Sequence, residues 1–197
     1  MITLLLVLFG GLTSTLIGAS FPQEREKALT NGSFENSPLE IVSVTKNGQK
    51  LGIAQKFSGN DDWLKGLEII LENKFSKTIT FVVITIGVPD TTGRVANIRT
   101  TIATIGSPTT AKDTKPNFYL LPGGRHTIQI DEKSYERLYK RLTERGMRIP
   151  DQAEIRIEYV MFDDDTMWRF GSMHQRNPQD PDKWDVIPMQ SSDNRSI

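Results

Sequence analysis

Two short acidic clusters are the residues of this chain whose type and spacing could do chemistry. Asp163, Asp164 and Asp165 are consecutive, and Asp61 and Asp62 directly precede a tryptophan. Carboxylate oxygens suit Ca²⁺, so all five are candidate metal ligands. Three consecutive carboxylates cannot all turn inward, however, and no EF-hand spacing follows them. We therefore expect solvated turns at both places, with calcium binding favoured only if the two loops meet at one end of the fold.

Other chemistries are restricted by what the chain lacks. It has no cysteine, which excludes disulfides, thiol nucleophiles and thiolate zinc sites, and its two histidines, His126 and His174, have no partner at metal-ligand spacing. No nucleophile elbow, zinc-protease helix or Walker loop occurs. We expect no catalytic residue, no metal and no cofactor. A small extracytoplasmic hydrolase remains an alternative, because paired carboxylates can be judged only in three dimensions.

The charge pattern argues against nucleic acid as a partner. The 24 Lys and Arg residues balance 24 Asp and Glu residues, so no overall field attracts a polyanion. One helical segment carries the only local basic excess, at Lys133, Arg137, Lys140, Arg141, Arg145 and Arg148. Most such faces are simply solvated, but a minority bind acidic polymers or lipid headgroups. The three tryptophans, Trp63, Trp168 and Trp184, are expected to pack rather than to form a sugar-binding surface.

The first twenty residues have the composition of an export signal. They carry no charge, the run Leu4–Phe9 is apolar, and Gly18, Ala19 and Ser20 precede an abrupt polar stretch. This pattern predicts a signal peptide at 1–20, cleaved after Ala19 or Ser20, with an uncleaved membrane anchor as the alternative. We expect a periplasmic, cell-surface or secreted protein that meets a membrane only if this segment is retained. The absence of cysteine excludes a lipoprotein anchor.

The remaining chain reads as one domain with polar ends. Residues 21–38 are polar and predict a flexible linker, 39–188 a β-sandwich domain, and 189–197 a disordered tail. Short β-rich runs alternate with turn signals about every ten residues, which favours a mainly β, antiparallel two-sheet sandwich.

Particular strands follow from the same pattern. Leu39–Val44 and Leu51–Ala54 should pair through Asn47-Gly48, because both turn positions favour positive φ. Leu67–Glu72 and Thr78–Ile86 are expected to pair at the centre of a sheet. Ile98–Ile105 has weak sidedness, with Ile98, Thr100, Ile102 and Thr104 on one face, and predicts an edge or half-exposed strand.

One segment departs from the β pattern. Tyr135, Leu138, Tyr139 and Leu142 recur at helical spacing and predict one inserted amphipathic helix at about 132–145, capped by Asp131 or Ser134 and ended by Gly146. Strict alternation over 153–162 then predicts a half-buried strand that turns at 163–166 and returns as a single strand over 167–173. Trp184 and Ile187 are expected to dock on the sandwich.

Three motifs carry a resemblance to known proteins. The segment from Gly66 to Ile79, with its Asn73-Lys74-Phe75-Ser76-Lys77 turn, is similar to bacterial exported immunoglobulin-like (fibronectin-III-like) domains, and so is the later Leu120-Leu121-Pro122-Gly123. Phe162-Asp163-Asp164-Asp165-Thr166-Met167-Trp168 resembles the F-D-D-G-T-x-W hairpin of a group of exported bacterial proteins, with Asp165 in place of Gly. The resemblance implies an immunoglobulin-like sandwich over most of 39–188 and brings no catalytic residues.

These observations together favour an exported, non-enzymatic β-sandwich module that interacts with a protein or a surface polymer. The motivation is the export signal, the strand-rich layout and the lack of any assembled catalytic motif. The small hydrolase and the calcium-dependent binding domain are the alternatives.

Overall fold

The computed structural model describes residues 24–89, 98–108 and 115–188. Its elements in chain order are β1 (Arg25–Asn31), β2 (Leu39–Lys46), β3 (Gln49–Leu51), β4 (Lys56–Gly59), β5 (Leu67–Asn73), β6 (Ile79–Val88), β7 (Ile98–Gly106), β8 (Arg125–Gln129), α1 (Glu132–Thr143), β9 (Gln152–Phe162), β10 (Thr166–Arg169), β11 (Ser172–Arg176) and β12 (Trp184–Val186). The predicted signal peptide and tail lie outside the described residues. Within them, no helix has the length and apolar composition needed to cross a membrane.

Two sheets form the molecule, and the larger one is organised around β9. This strand pairs with β6 along one edge and with β1 and then β10 along the other. β4 extends the sheet from β1, β7 from β6, and β11 and β12 from β10. The smaller sheet has the order β3-β2-β5-β8. The described residues thus confirm the predicted two-sheet sandwich with a single helix, although β1 runs parallel to β9. The immunoglobulin-like resemblance stays a prediction.

The space between the sheets is filled by one apolar cluster. In β5, Leu67, Ile69 and Leu71 are fully buried at alternate positions, as a strand with one face on the core requires. In the larger sheet, Ile84 of β6 lies opposite Ile157 of β9, and both belong to the same cluster. Each such side chain stabilises the fold by roughly 1.5–3 kcal/mol relative to exposure.

The predicted linker at 21–38 is wrong for residues 25–31, which form β1 inside the larger sheet. Leu29 of β1 is buried in the core, but Lys27 points to the same face and is also fully buried. Its ammonium lies 2.7 Å from the Asp151 carboxylate. Lys27 breaks the apolar alternation that would have predicted this strand. Its partner Asp151 is 124 residues away, so no local pattern indicates that the charge is paired.

The predicted pairing of Leu67–Glu72 with Thr78–Ile86 is also wrong. β5 pairs with β2 and β8, whereas β6 pairs with β7 and β9, so the turn between them carries the chain from one sheet to the other. Asn73 fixes this crossing. Its buried amide donates to the carbonyls of Lys77 (2.8 Å) and Leu120 (3.0 Å), and its side-chain oxygen accepts from the N–H of Phe75.

The tight turns follow their sequence signals. Asn47 and Gly48 both have positive φ and form the predicted turn between β2 and β3. The returning strand predicted over Leu51–Ala54 is wrong beyond Leu51, because the chain turns there and Ala54 adopts a φ of 61°. Asp165 adopts a φ of 58° where the resembling motif has Gly, a conformation that Asp tolerates better than most residues. The single strand predicted over 167–173 is wrong, because Phe170 and Gly171, both with positive φ, turn the chain between β10 and β11.

Two β-bulges interrupt the strand pairing of the larger sheet. Ile102 of β7 lies unpaired between the partners of Ile84 and Thr85, and Glu158 of β9 is unpaired in the same way against β6. Each is a β-bulge, which shifts the alternation of faces by one residue.

The bulge at Ile102 explains the weak sidedness of β7. Ile98, Thr100 and Ile102 are buried, but beyond the bulge Ala103 and Ile105 pack against the core, and Thr104 is exposed. The prediction that Thr104 shares a face with Ile98, Thr100 and Ile102 is therefore wrong. The strict alternation predicted for 153–162 is likewise interrupted at Glu158.

The helix lies where its periodicity placed it. Asp131 caps α1, since its side chain accepts a hydrogen bond of 2.8 Å from the N–H of Ser134, and Gly146 follows the helix with a φ of 67°. Leu138 and Leu142 are buried, whereas Tyr139 is exposed. The buried stripe is narrower than predicted because α1 packs along β7 at the side of the sandwich.

All three tryptophans pack, as expected. Trp63 and Trp168 are buried in the main core. Trp184 of β12 covers a smaller apolar cluster formed by Phe81, Met161 and Met167. The expected docking of the segment that carries Trp184 is confirmed by the pairing of β12 with β11.

Breaking the ion pair of Lys27 should cost more than removing both of its charges. Asp151→Asn leaves a fully buried ammonium with only Asp61, 3.9 Å away, and we expect a loss of about 2 kcal/mol in the free energy of unfolding. The double variant Lys27→Met/Asp151→Asn should lose about 1 kcal/mol or less, because an apolar side chain of similar size fills the site. Urea denaturation measures both.

Glu26→Gln is the matched control for this prediction. Glu26 forms an exposed pair with Lys56, so its loss should change the free energy of unfolding by less than about 1 kcal/mol. Equal losses for Asp151→Asn and Glu26→Gln would contradict a structural role for the Lys27 pair.

Candidate functional site

A groove lies between α1 and the edges of both sheets. We call it the α1 groove. It has a volume of about 970 Å³ and is bordered by residues 100–105 of β7, by residues 126–129 of β8, and by one side of α1 with Asp131, Lys133, Ser134, Arg137, Lys140, Arg141 and Glu144.

Hydrogen bonds hold α1 against β7 and so fix the shape of this groove. The hydroxyl of Ser134 donates to the carbonyl of Ile102 (3.1 Å), the bulged residue, and the guanidinium of Arg141 donates to the carbonyl of Arg99 (2.9 Å). Buried Leu138 and Leu142 anchor the same helix in the core. The helix therefore presents its polar side to the groove in a defined position.

The polar side of α1 gives the groove a positive charge. Lys133, Arg137, Lys140 and Arg141 are exposed cations, against the two carboxylates of Asp131 and Glu144. Asp131 is committed to the helix cap, and hydrogen bonds from Ser134 hold the pKa of its carboxyl below the usual range. Arg137 is positioned by a 2.9 Å hydrogen bond to the hydroxyl of Ser134. Four of the six basic residues singled out from the sequence thus line the groove.

Asp61 and Asp62, candidate metal ligands from the sequence, lie outside the α1 groove. They line a smaller cleft of about 490 Å³ together with Tyr135 and Tyr139. The hydrogen bond from Arg25 lowers the pKa of Asp61, whereas burial and then the negative charge of Asp62 raise the pKa of Tyr135 to about 12. Asp61 is thus held in an ion pair with Arg25.

The second acidic cluster forms an exposed hairpin turn, as expected. Asp164 accepts hydrogen bonds from the N–H and hydroxyl of Thr166 and pairs with Lys77 at 2.7 Å. Burial pushes the pKa of Asp164 up, but the bonds from Lys77 and Thr166 outweigh it, and the pKa lies below the usual range. Asp165 pairs with Arg176 at 3.1 Å.

The residues described do not bring the two acidic clusters into a metal site. No group of three or more His, Asp or Glu side chains within the described ranges is placed to hold one ion. Binding of calcium by Asp61, Asp62, Asp163, Asp164 or Asp165 stays a prediction.

The three resembling motifs contact one another at one end of the sandwich. Asn73 of the first motif bonds the carbonyl of Leu120 in the second, and the N–H of Gly123 donates to the carbonyl of Asn73. Lys77 of the first motif pairs with Asp164 of the third. In the sequence, the three motifs are separate segments with no sign that they touch. Their contacts give them a shared structural role in the crossing between the sheets.

Asn73→Ala should destabilise the protein by about 2–4 kcal/mol, because it removes three hydrogen bonds and leaves the carbonyl of Lys77 and the N–H of Phe75 without this partner, while the carbonyl of Leu120 keeps only the N–H of Ile79. Thermal and urea unfolding measure the loss. Asn36→Ala is the control, since the Asn36 amide donates a single exposed hydrogen bond to the carbonyl of Gly171 and its loss should cost about 1 kcal/mol or less. A stable Asn73→Ala protein would contradict the role of Asn73 in the crossing.

Two carboxylates that the sequence did not single out lie together on β9. Glu154 and Glu158 flank the guanidinium of Arg99, at 2.6 and 4.0 Å, and Glu158 also accepts from the hydroxyl of Thr85. Both carboxylates are engaged in these ion pairs and hydrogen bonds, and neither borders the α1 groove. The only sequence signal is their i, i+4 spacing, which in a regular strand would place them on one face.

The two histidines lie on strands. His126 of β8 borders the α1 groove and packs its ring against Phe118, with centroids 5.1 Å apart. Burial lowers its pKa below the usual 6.5. His174 of β11 also has a lowered pKa, through burial and the charge of Arg169. Structural rather than ligand roles fit both surroundings.

His126 should make the protein less stable in mild acid. Because its pKa is lower in the folded than in the unfolded chain, the unfolded state takes up the proton first as the pH falls below about 6.5. Stability is therefore full above this value and decreases between it and the folded pKa. In His126→Gln, the loss in free energy of unfolding between pH 7.5 and pH 5 should be smaller than in the parent.

Gln129→Ala, at an exposed position of the same strand, is the matched control and should keep the full pH dependence. An unchanged pH dependence in His126→Gln would contradict this assignment.

Comparison with protein-family models, curated proteins and solved structures found no match to this chain.

Proposed function

We propose that the protein is a binding module and that its ligand is an extended anionic chain held in the α1 groove. The observation that carries the proposal is the row of exposed cations on α1, placed by the helix beside the edges of two strands. The cleft at Asp61 and Asp62 is smaller, about 490 Å³, and its charged residues are these two carboxylates and Arg148.

The charge of the groove favours carboxylate, sulfate or phosphate groups. Lys133, Arg137, Lys140 and Arg141 outnumber the two carboxylates, and one of these, Asp131, is neutralised in part by the helix N-terminus. A guanidinium offers paired donors that match the geometry of an oxyanion. Each exposed ion pair contributes only about 1 kcal/mol or less, so the ligand must meet several cations at once.

The dimensions of the groove favour a chain over a compact ligand. Its volume of about 970 Å³ is at the upper end of small-molecule sites. The six residues of β7 along its border span roughly 20 Å at the usual strand rise. A ligand with charges repeated along its length can fill this volume and contact the cations along the whole border.

Export of this module is part of the proposal. It rests on the apolar, uncharged residues 1–20, and an extracytoplasmic place suits a module that binds acidic proteins or surface polymers. The calcium-dependent and hydrolase alternatives stay predictions. The candidate acids lie in turns and ion pairs outside the α1 groove.

Charge reversal on the groove side of α1 should abolish most of the binding. The variant Lys133→Glu/Lys140→Glu keeps Ser134 and Arg141, the two residues of α1 that donate hydrogen bonds to β7. It should bind an octamer of polyglutamate and an octamer of polygalacturonate at least about tenfold more weakly than the parent does. Fluorescence anisotropy at two salt concentrations measures the affinity, which should fall as salt increases.

Lys50→Glu/Lys56→Glu is the matched control, because these exposed residues lie on β3 and β4, outside the α1 groove. It carries the same change in net charge and should bind like the parent. Equal weakening by both variants, or no binding of either octamer by the parent, would overturn the proposed function.

A further inference from the structure

The α1 groove is bordered by the backbone edges of two strands. Every residue from Thr100 to Ile105 and every residue from His126 to Gln129 lines it. Side chains of a strand alternate between two faces, so a groove over one face would be lined by every second residue. The uninterrupted runs mean that the edges of β7 and β8 face the groove.

Neither of these edges is paired with another strand in the described parts of the chain. β7 pairs with β6 and β8 pairs with β5, each on one side only. An unpaired edge presents N–H and C=O groups that can receive a further strand. Both edges therefore offer backbone hydrogen bonds to a ligand in the groove.

The helix uses only part of the β7 edge. Ser134 and Arg141 bond the carbonyls of Ile102 and Arg99. Within the described residues, α1 makes no hydrogen bond to the backbone of 103–105. This second half of β7 borders the groove, and the exposed side chain of Thr104 lies there.

We propose that the ligand is an acidic polypeptide segment that binds in extended form, as an added strand along the second half of β7, with its carboxylates toward the cations of α1. This inference rests on the proposed function and names the class of ligand. Polypeptide is favoured because a strand edge needs alternating N–H and C=O groups at the spacing of a second strand. An acidic polysaccharide supplies the charge but not this pattern.

The choice of β7 over β8 follows from position. α1 packs along β7 and bonds its edge carbonyls, so Lys133, Arg137 and Lys140 lie beside the strand to be extended. A peptide on β7 thus gains backbone bonds and ion pairs together.

The test uses the full chain and three probes of equal charge. The first is the peptide (Glu-Thr)₄ with blocked ends, the second is the same peptide N-methylated at every residue, and the third is the galacturonate tetramer. Titration gives the affinities. Isotope-edited NMR detects contacts between peptide Hα atoms and the backbone of 103–105. We expect the first probe to bind at least tenfold more tightly than the other two and to show these contacts.

The outcomes separate the two proposals. Equal affinity of the methylated and unmethylated peptides, tighter binding of the tetramer, or contacts to β8 in place of β7 would overturn the strand addition, while leaving an anionic ligand in the groove. Binding of none of the three probes would overturn both proposals. Lys133→Glu/Lys140→Glu should weaken the first probe, and Lys50→Glu/Lys56→Glu should not.

Discussion

The pairing of both edges of β9 is the constraint on which the larger sheet depends. β6 follows one edge of this strand, while β1 and β10 share the other. These contacts join segments from the start, the middle and the end of the described chain. The inward residues of β9 and β6, such as Ile157 and Ile84, then close over β5 of the smaller sheet. Burial of this apolar face sets the register, because a shift by one residue would turn it to solvent.

Local signals predicted the elements that depend on neighbours in sequence. The Asn47-Gly48 turn, the helix with its Asp131 cap and the layer architecture were all readable, since each follows from the conformation or periodicity of a short segment. β1 was missed because Lys27 occupies an inward position, which only the distant Asp151 makes tolerable. The crossing between the sheets was missed because the hydrogen bond from Asn73 to Leu120 spans 47 residues.

The candidate site was predictable only in its charge. The sequence showed the basic side of α1, and four of its residues border the groove. The edges of β7 and β8 complete the groove because no other described strand pairs with them. The periodicity of a sequence does not show which strands pair, so these edges could not be predicted. Conversely, the acidic clusters drew attention by composition, yet Asp164 and Asp61 are held by Lys77 and Arg25. Ion pairs between distant segments thus engage carboxylates that composition alone had singled out as candidate ligands.

The unpaired Ile102 links the length of one strand to the docking of the helix. Without this residue, β7 would alternate regularly and keep Ala103 and Ile105 on the core side. It would lose the local bend of a bulge and the carbonyl that receives the Ser134 hydroxyl. In an alignment of sequences that share this sheet, a gap of one residue at this position would therefore mark chains whose helix is anchored differently.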